Sequence, residues 1–359
     1  MKAALTARSV LFGSSLFVLA ACADSGTTPL APTDETASLG QGQDRIEAAF
    51  QRVSPEVMAI PGTVFSDNDE RIGKVVIGIS NMNADGAVRA AMRRLGVAEG
   101  DYAVELTSPI ENMVTLRDKF RPVIAGLQVH WTQYVCTIGA NVDHAGGRSF
   151  IINSHCTATQ GGTEGTTYAQ PSRTIDPTVI ATEVDDPVYV KGGAGCPKGK
   201  KCRHSDASRA LYSAGIASNR GEIARTTGAN NLSLTVDASN PIFTITSQDN
   251  TTKNYAVGTV VNKVGRTTGW TRGAVTRSCV NTSVSGSTVY LFCQTFVSDP
   301  GGAQVVGGGD SGSGVWIDSG NGAAKLVGLL WGGSSDNKTF VFSPLASVQQ
   351  ELGSVNAVK

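Results

Sequence analysis

Val305–Ile317 reads VVGGGDSGSGVWI and places glycines, one carboxylate and one hydroxyl group between two apolar runs. The flanking Val-Val and Val-Trp-Ile are typical of β-strands, whereas a flexible linker is usually flanked by polar residues. Glycine adopts backbone angles that other residues avoid, so a glycine-rich segment between strands can turn tightly. The stretch therefore predicts a tight loop between two strands that holds one reactive serine, Ser311.

Short β-rich runs continue outward from this loop, back to about residue 126. Examples are RSFIINS, IFTITS, TVYLFCQTF and KLVGLLWGG, and Gly, Asn, Asp and Ser separate them. Many short strands at close spacing are typical of a sandwich or of β-barrels. The last segment, SPLASVQQELG, predicts a short helix with Leu345, Val348 and Leu352 on one face and Gly353 at its end. We expect an all-β region that ends in a helix.

Residues 43–122 have a different pattern. DRIEAAFQRV and DGAVRAAMRRLGV have the period of amphipathic helices, and the strand-like runs KVVIGIS and YAVELTS bracket the second one. This order predicts a small α/β pre-domain. Its role is open between a pro-segment that assists folding and a permanent accessory domain.

The first 42 residues indicate export. A positively charged start precedes the apolar stretch Val10–Ala21, which is too short to span a bilayer comfortably, so residues 1–21 are predicted to be a signal peptide. The sequence Leu-Ala-Ala-Cys that ends at Cys22 resembles the bacterial lipobox, in which the cysteine becomes the lipid-modified first residue. An ordinary signal peptide with a nearby cysteine is the alternative. Residues 22–42 are small, polar and proline-containing, which predicts a disordered tether.

The seven cysteines fit this compartment. If Cys22 carries a lipid, an even number remains, as expected for disulfides in an oxidising environment. Many pairings are possible, and sequence proximity favours Cys136–Cys156, Cys196–Cys202 and Cys279–Cys293. No Cys/His cluster has the spacing of a zinc site, so we expect neither a metal nor a cofactor. The formal net charge is zero, so the chain does not have the excess of basic residues that is typical of nucleic-acid binders.

A serine nucleophile needs a base, and the base needs an orienting acid. All four histidines precede Ser311, which excludes the α/β-hydrolase order, in which the histidine follows the serine. His155 has the most informative surroundings, because the adjacent Cys156 can fix its backbone to the strand that carries Cys136. The other candidates are His130, His144 and His204.

INSHCTA around His155 and GGDSGSGV around Ser311 resemble the histidine and serine motifs of the chymotrypsin/trypsin-like serine peptidases. KVGRTTGWTRGAVT, from residue 263, is similar to the stretch that opens the second barrel in bacterial members. The resemblance spans about residues 124–352 and leaves out the N-terminal third. It implies two packed six-stranded β-barrels, over 123–250 and 251–359, with the active site between them.

The family order of His, Asp and Ser places the acid between His155 and Ser311. The segment CRHSDASRALY offers Asp206, and the alternatives are Asp176, Asp185 and Asp186. The resemblance implies that Ser311 attacks a carbonyl, that His155 moves the proton and that Asp206 orients the imidazole. It also implies an oxyanion hole formed by the backbone N–H groups of Gly309 and Ser311.

Specificity and activation are also inferred from the resemblance. Val305 lies where the family has the residue at the base of its primary specificity pocket. LLWGGSS is similar to the family's Ser-Trp-Gly segment, with Leu330 in place of Ser, and this assigns three substrate-lining residues: Trp331, Gly332 and Gly333. An apolar or medium-sized residue is therefore expected before the cleaved bond. A start at Ile124, freed by cleavage near Arg121, would pair with Asp310 as in animal members.

The sequence thus predicts an exported serine endopeptidase that acts on protein or peptide substrates through an acyl-enzyme. We expect no nucleic-acid partner, and membrane contact only through an N-terminal lipid anchor. Two alternatives remain open: an esterase with the same triad, and a catalytically silent β-barrel binding module on a lipid anchor.

Overall fold

The computed structural model describes residues 34–110, 112–132, 134–144 and 147–359. The signal peptide predicted over 1–21 and the lipidation site predicted at Cys22 lie outside these residues. Within the described ranges, no helix has the length and apolar character needed to cross a membrane. The chain divides into two compact units, and the second is Asn112–Lys359.

The helices and strands are numbered in chain order. The helices are α1 (Asp34–Met58), α2 (Asp85–Arg94) and α3 (Leu345–Leu352). The strands are β1 (Thr63–Asp69), β2 (Lys74–Ile79), β3 (Tyr102–Leu106), β4 (Val123–Ala125), β5 (Gln128–Trp131), β6 (Tyr134–Thr137), β7 (Ala140–His144), β8 (Gly147–Asn153), β9 (Thr167–Tyr168), β10 (Ala181–Asp185), β11 (Val190–Lys191), β12 (Lys201–Arg203), β13 (Ala207–Tyr212), β14 (Ser218–Ala224), β15 (Ile242–Gln248), β16 (Val260–Gly265), β17 (Gly269–Ser283), β18 (Val289–Ser298), β19 (Gly314–Gly320), β20 (Ala323–Gly333) and β21 (Thr339–Pro344).

The first unit is a three-stranded sheet with two helices. β2 and β3 are parallel and α2 connects them, while β1 is antiparallel to β2. Val53, Ile77, Val88 and Met92 are fully buried and belong to one hydrophobic cluster, which gives this unit a core of its own. The sequence pattern does not predict β1, because its TVFSDND has no buried alternation and its pairing depends on β2.

Helix α1 begins earlier than the sequence predicts. It starts at Asp34, inside the stretch 22–42 for which the sequence predicts a disordered tether. Residues 34–42 contain no proline to end the helix, and Gly40 and Gly42, at about 1 kcal/mol each, weaken it without ending it.

Six strands of the second unit close a barrel. β16, β17 and β18 are neighbours, β19 and β20 continue the sheet from β16, and β21 pairs with both β18 and β20. The earlier strands form a five-stranded sheet in the order β7-β8-β13-β10-β9 and the hairpin β5-β6. The fold class predicted from the sequence, an all-β region after a small α/β part, is confirmed.

The C-terminal helix closes the second unit. Leu345, Val348 and Leu352 are buried in its largest hydrophobic cluster, and Gly353 follows the helix with a φ of 76°. Both features are those that the sequence predicts. β15 lies in the range 123–250 predicted for the first barrel, and β20 lies in the range 251–359 predicted for the second. These two strands pair in parallel, so one sheet contains strands from both ranges.

Three disulfides join the pairs that sequence proximity favours: Cys136–Cys156, Cys196–Cys202 and Cys279–Cys293. The first links β6 to the turn after β8. That turn carries His155, so the disulfide lies directly beside the predicted base.

Candidate active site

His155 lies in a single 3-10 turn, Ser154–Cys156, directly after β8. The end of β8 is fully buried, so the strand fixes the start of the turn in the core. The disulfide from Cys156 to Cys136 fixes its other end. The backbone of His155 is therefore held on both sides, as a general base requires.

Strand pairing brings Asp206 to His155. β8 and β13 are antiparallel, with Asn153 opposite Ala207. The carbonyl oxygen of Asp206 accepts hydrogen bonds from the Ser154 N–H at 3.1 Å and from Asn153 Nδ2 at 2.9 Å. In this position Oδ2 of Asp206 is hydrogen-bonded to Nδ1 of His155.

The two side chains differ in their access to solvent, which matters for their charges. The side chain of His155 is 34% exposed, whereas that of Asp206 is 2% exposed. Burial disfavours the charged imidazolium, but the charge and the hydrogen bond of Asp206 outweigh it and raise the pKa of His155. Burial also opposes the carboxylate, yet the pKa of Asp206 is lowered by His155 and by further hydrogen bonds. The ionised acid is thus the stable form beside the imidazole.

Those further hydrogen bonds come from two residues that sequence reasoning missed. The hydroxyl group of Tyr189 donates to Oδ1 of Asp206 at 2.6 Å, and Gln160 Nε2 donates to the same oxygen at 3.1 Å. Both lie in irregular segments far from Asp206 in sequence, so no periodic pattern marks them. Together with His155 they occupy both oxygens of the acid.

A layer of buried charges holds the segment before Asp206. Arg203 Nη1 donates to Asp186 at 2.8 Å, and Asp186 in turn accepts a hydrogen bond from the Ser154 hydroxyl at 2.8 Å. Arg203 Nε donates to Glu351 of α3 at 3.0 Å. The Ser154 hydroxyl group, next to His155, and the Arg203 side chain, three residues before Asp206, are therefore both hydrogen-bonded to carboxylates.

The alternative acids have other partners. Asp176 lies 3.0 Å from both Lys119 and Arg121, and Asp185 lies 3.9 Å from Arg209. In the described residues none of these acids contacts His155, and Asp206 alone does so.

Ser311 lies in the loop before β19, and two hydrogen bonds join this loop to the end of β6. Thr137 N–H donates to the Ser311 carbonyl at 2.8 Å, and the Thr137 hydroxyl donates to the Gly309 carbonyl at 2.9 Å. Thr137 follows Cys136, whose disulfide partner is the neighbour of His155. The serine loop and the histidine turn are therefore attached to the same short strand.

The approach of these segments requires glycine at position 312. Its φ is +94°, and a Cβ there would collide with the Thr137 carbonyl and lie 3.1 Å from Ile152 Cγ1. Ser311 itself is half-buried. In the part of the chain that the structure describes, the N–H groups of Gly309 and Ser311 have no hydrogen-bond acceptor, whereas the intervening Asp310 N–H donates to Gly307.

Asp310 anchors the loop. Its carboxylate accepts hydrogen bonds from buried Lys263 Nζ at 3.0 Å and the Thr268 hydroxyl at 2.6 Å. It also accepts three backbone N–H groups, those of Gly307, Thr267 and Thr268. Burial lowers the pKa of Lys263, and the charge of Asp310 opposes this shift.

This anchor bears on the activation hypothesis. Lys263 already supplies the cation that a freed N-terminus would bring to Asp310. Ile124 is the central residue of β4, is buried, and lies in a strand that pairs with β14. Pairing of a new N-terminus at Ile124 with Asp310 would have to displace Lys263 and break this strand, so the structure does not fit it.

A groove of about 540 Å³ runs beside His155. Its lining includes the three residues assigned to substrate, Trp331, Gly332 and Gly333. Apolar side chains contribute much of the remaining wall: Val284, Phe296 and Val341. Trp331 is fixed by a hydrogen bond of 2.7 Å from its Nε1 to Gln294.

Val305 is not part of this lining. It is fully buried in a hydrophobic cluster with Val261 and Phe340, and its backbone bonds to Asn337. The expectation that Val305 forms the base of a specificity pocket therefore has no support from its position. Val305 lies in the irregular segment between β18 and β19 and not in the strand that the Val-Val pattern predicts, and its apolar side chain packs into the core.

No protein-family model and no curated protein matches the chain. Among solved structures, Thermobifida fusca Protease A is 19% identical, with a TM-score of 0.45, and the match covers 66% of this chain and 98% of that one. Nocardiopsis Protease is 17% identical, with a TM-score of 0.45 and coverage of 66% and 99%. Cellulomonas bogoriensis chymotrypsin is 22% identical, with a TM-score of 0.43 and coverage of 66% and 98%. The chain is thus similar to these proteases over 66% of its length.

Proposed function

We propose that the protein is an exported serine endopeptidase with the triad His155, Asp206 and Ser311. The observation that carries the proposal is the hydrogen bond between His155 Nδ1 and buried Asp206, at the edge of a solvent-accessible groove. This bond leaves Nε2 of a neutral imidazole as the proton acceptor. Asp206 then orients the ring and stabilises its positive form.

In this mechanism Ser311 Oγ forms a bond to the carbonyl carbon of the substrate while Nε2 of His155 takes its proton. The negative charge moves to the carbonyl oxygen, where the free N–H groups of Gly309 and Ser311 support an oxyanion hole. His155 then gives the proton to the leaving amine as the C–N bond breaks. Water attacks the acyl-enzyme by the same route and regenerates the serine.

The anchoring of the loop supports this role. Asp310 receives five hydrogen bonds and keeps the N–H groups on either side of it in place. Gly309 has a φ of +97°, and a Cβ there would lie 2.7 Å from Arg266 Cδ. A preorganised donor of this kind typically lowers the barrier by about 3 kcal/mol.

The apolar groove wall supports a preference for an apolar or medium-sized residue near the cleaved bond. The three disulfides support the proposal of export, since such bonds form in oxidising compartments. A lipid anchor at Cys22 belongs to the same proposal, and labelling with a radioactive fatty acid, lost in Cys22→Ala, would test it.

Covalent labelling with a fluorophosphonate probe tests the hydrolase. We expect labelling of the wild type, no labelling of Ser311→Ala, and unchanged labelling of Ser335→Ala, which removes an exposed hydroxyl. Labelling that survives Ser311→Ala would contradict the proposal, and absence of labelling in all three would favour a silent binding module. Casein hydrolysis by the wild type distinguishes an endopeptidase from an esterase that cleaves only short esters.

A further inference from the structure

A basic loop lies between β11 and β12. Residues 191–201 contain four lysines: Lys191, Lys198, Lys200 and Lys201. The disulfide Cys196–Cys202 closes this loop, and β12 pairs in parallel with β18, which fixes its end. We call residues 191–202 the lysine loop.

The charges of the lysine loop are not neutralised within the described residues. The lysines that form ion pairs there are others: Lys119, Lys263, Lys325 and Lys359. The protein as a whole has no net charge, so four lysines in this short loop are a local excess. Such an excess attracts anionic groups.

Two of these lysines touch residues that line the groove beside His155. Lys200 Nζ donates to the carbonyl oxygen of Ser287 at 3.1 Å, and Lys201 Nζ donates to the carbonyl oxygen of Gln160 at 3.3 Å. Both acceptor residues belong to the groove lining. Neither lysine lines the groove itself: both belong to a separate cavity of about 420 Å³, and their ammonium groups are hydrogen-bonded to the backbone of the groove-lining residues.

Both ammonium groups keep capacity for an anion. Each carries three N–H donors and has one protein acceptor in the described residues. Lys201 is further positioned over the ring of Tyr189, 4.9 Å from its centroid. The single acid in the groove lining, Asp206, is already bonded to His155, Tyr189 and Gln160, so it does not compensate this charge.

We propose that Lys200 and Lys201 form a subsite that selects peptide substrates with a carboxylate side chain in the segment bound along the groove. This inference rests on the proposed function and adds a substrate class to it. The apolar wall holds the residues near the cleaved bond, and the lysine loop recognises an acidic residue farther along the peptide. Solvent-exposed ion pairs are modest, so we expect each lysine to favour the acidic peptide about two- to fivefold.

The test uses internally quenched peptides of one sequence in which Glu replaces Gln at one position at a time. For the wild type we expect a higher kcat/KM for Glu than for Gln at one or two neighbouring positions. The Lys200→Gln/Lys201→Gln double variant should bring this ratio to about one, and Lys200→Arg/Lys201→Arg should retain it. About 1 M salt should also abolish it, since the Debye length falls to about 3 Å.

Arg272→Gln is the matched control, because it removes an exposed charge outside the groove lining. It should keep the wild-type ratio. A wild-type ratio of one at every position, or a preference that survives the double Gln variant, would overturn the inference. The inference would also be overturned if the lysine variants lost binding to anionic lipid vesicles while the ratio of kcat/KM for Glu and Gln peptides stayed unchanged. The lysine loop would then bind a membrane surface and not the peptide.

Fluorophosphonate labelling separates the two failures. If Ser311 is labelled and the Glu and Gln peptides are cleaved alike, the acidic subsite is wrong and the hydrolase stands. If Ser311 is not labelled and neither peptide is cleaved, the proposed function fails and the subsite fails with it.

Discussion

Tyr189 acts on the proposed reaction through Asp206. Its hydroxyl group shares Oδ1 of the acid with Gln160, while His155 uses Oδ2. Removing one donor leaves more negative charge on the carboxylate and a looser side chain. The greater negative charge of Asp206 attracts the imidazolium form of His155 more strongly. The greater mobility of the Asp206 side chain makes the orientation of the imidazole less well defined.

Tyr189→Phe is therefore expected to lower kcat about tenfold, which corresponds to about 1.4 kcal/mol. It should also move the acidic limb of the pH profile to higher pH, because the pKa of His155 rises. Tyr290→Phe, which removes a hydroxyl outside the groove lining, should change neither. A drop in kcat with an unmoved pH profile would mean that Tyr189 has only a structural role.

His155 gives activity and stability opposite pH dependences. Its pKa is raised above the ordinary value of about 6.5, and the base must be neutral to accept a proton. Activity should therefore rise with pH through a midpoint above 6.5. The charged pair with Asp206 contributes stability that is complete below the unfolded pKa and is lost as pH rises through the folded one.

Measurements of kcat/KM and of thermal unfolding over the same pH range test this expectation. Across the acidic limb, activity should increase while the stabilisation from His155 decreases. His155→Gln should lose this component of the pH-dependent stability. An acidic limb with a midpoint below 6.5 would contradict the raised pKa.

At the level of elements, the C-terminal helix contacts the candidate active site through one carboxylate. Glu351 accepts hydrogen bonds from Arg203 Nε at 3.0 Å, His204 N–H at 2.6 Å and the Ser205 hydroxyl at 2.5 Å. These donors directly precede Asp206. The helix thus holds the segment before Asp206 as well as covering the core.

Glu351→Gln should lower the stability by about 2–3 kcal/mol, because its amide group would face donors that need an acceptor. The kcat should fall as well, since the segment before Asp206 loosens. Gln350→Ala, on the exposed side of the same helix, is the control. Thermal unfolding and steady-state kinetics of both variants measure the effects, and equal behaviour of the two would contradict this role of the helix.

The sequence predicts elements better than it predicts long-range polar contacts. Leu345, Val348 and Leu352 reveal the helix because their spacing repeats, and short β-rich runs separated by Gly, Asn, Asp and Ser reveal most strands. Glu351 and Tyr189 carry no such signal, since their partners lie far away in the chain. Val305 shows the converse limit: a position taken from a motif does not determine which way the side chain of a buried loop residue faces.

At the scale of the whole molecule, the two compact units have separate hydrophobic clusters: the described residues form one in the first unit and three in the second. The connection between them lacks strands over residues 107–110 and 112–114. Its apolar side chains are exposed: Ile110 at 82% and Met113 at 75%. A segment with few buried contacts opens easily, which makes it a preferred site of proteolysis.

Limited proteolysis should therefore cut first between residues 107 and 114 and release a stable fragment that starts near Asn112. The fragment should keep the fluorophosphonate reactivity proposed for Ser311, because Asn112–Lys359 contains the groove, the three residues of the proposed triad and all three disulfides. Mass spectrometry and N-terminal sequencing identify the cut. A first cut inside β7–β21, or a fragment that unfolds on release, would contradict an independent second unit.

The start of the protein purified from its natural host then decides the role of the first unit: a start near Asn112 indicates a removable pro-segment, and a start at Cys22 indicates a permanent domain.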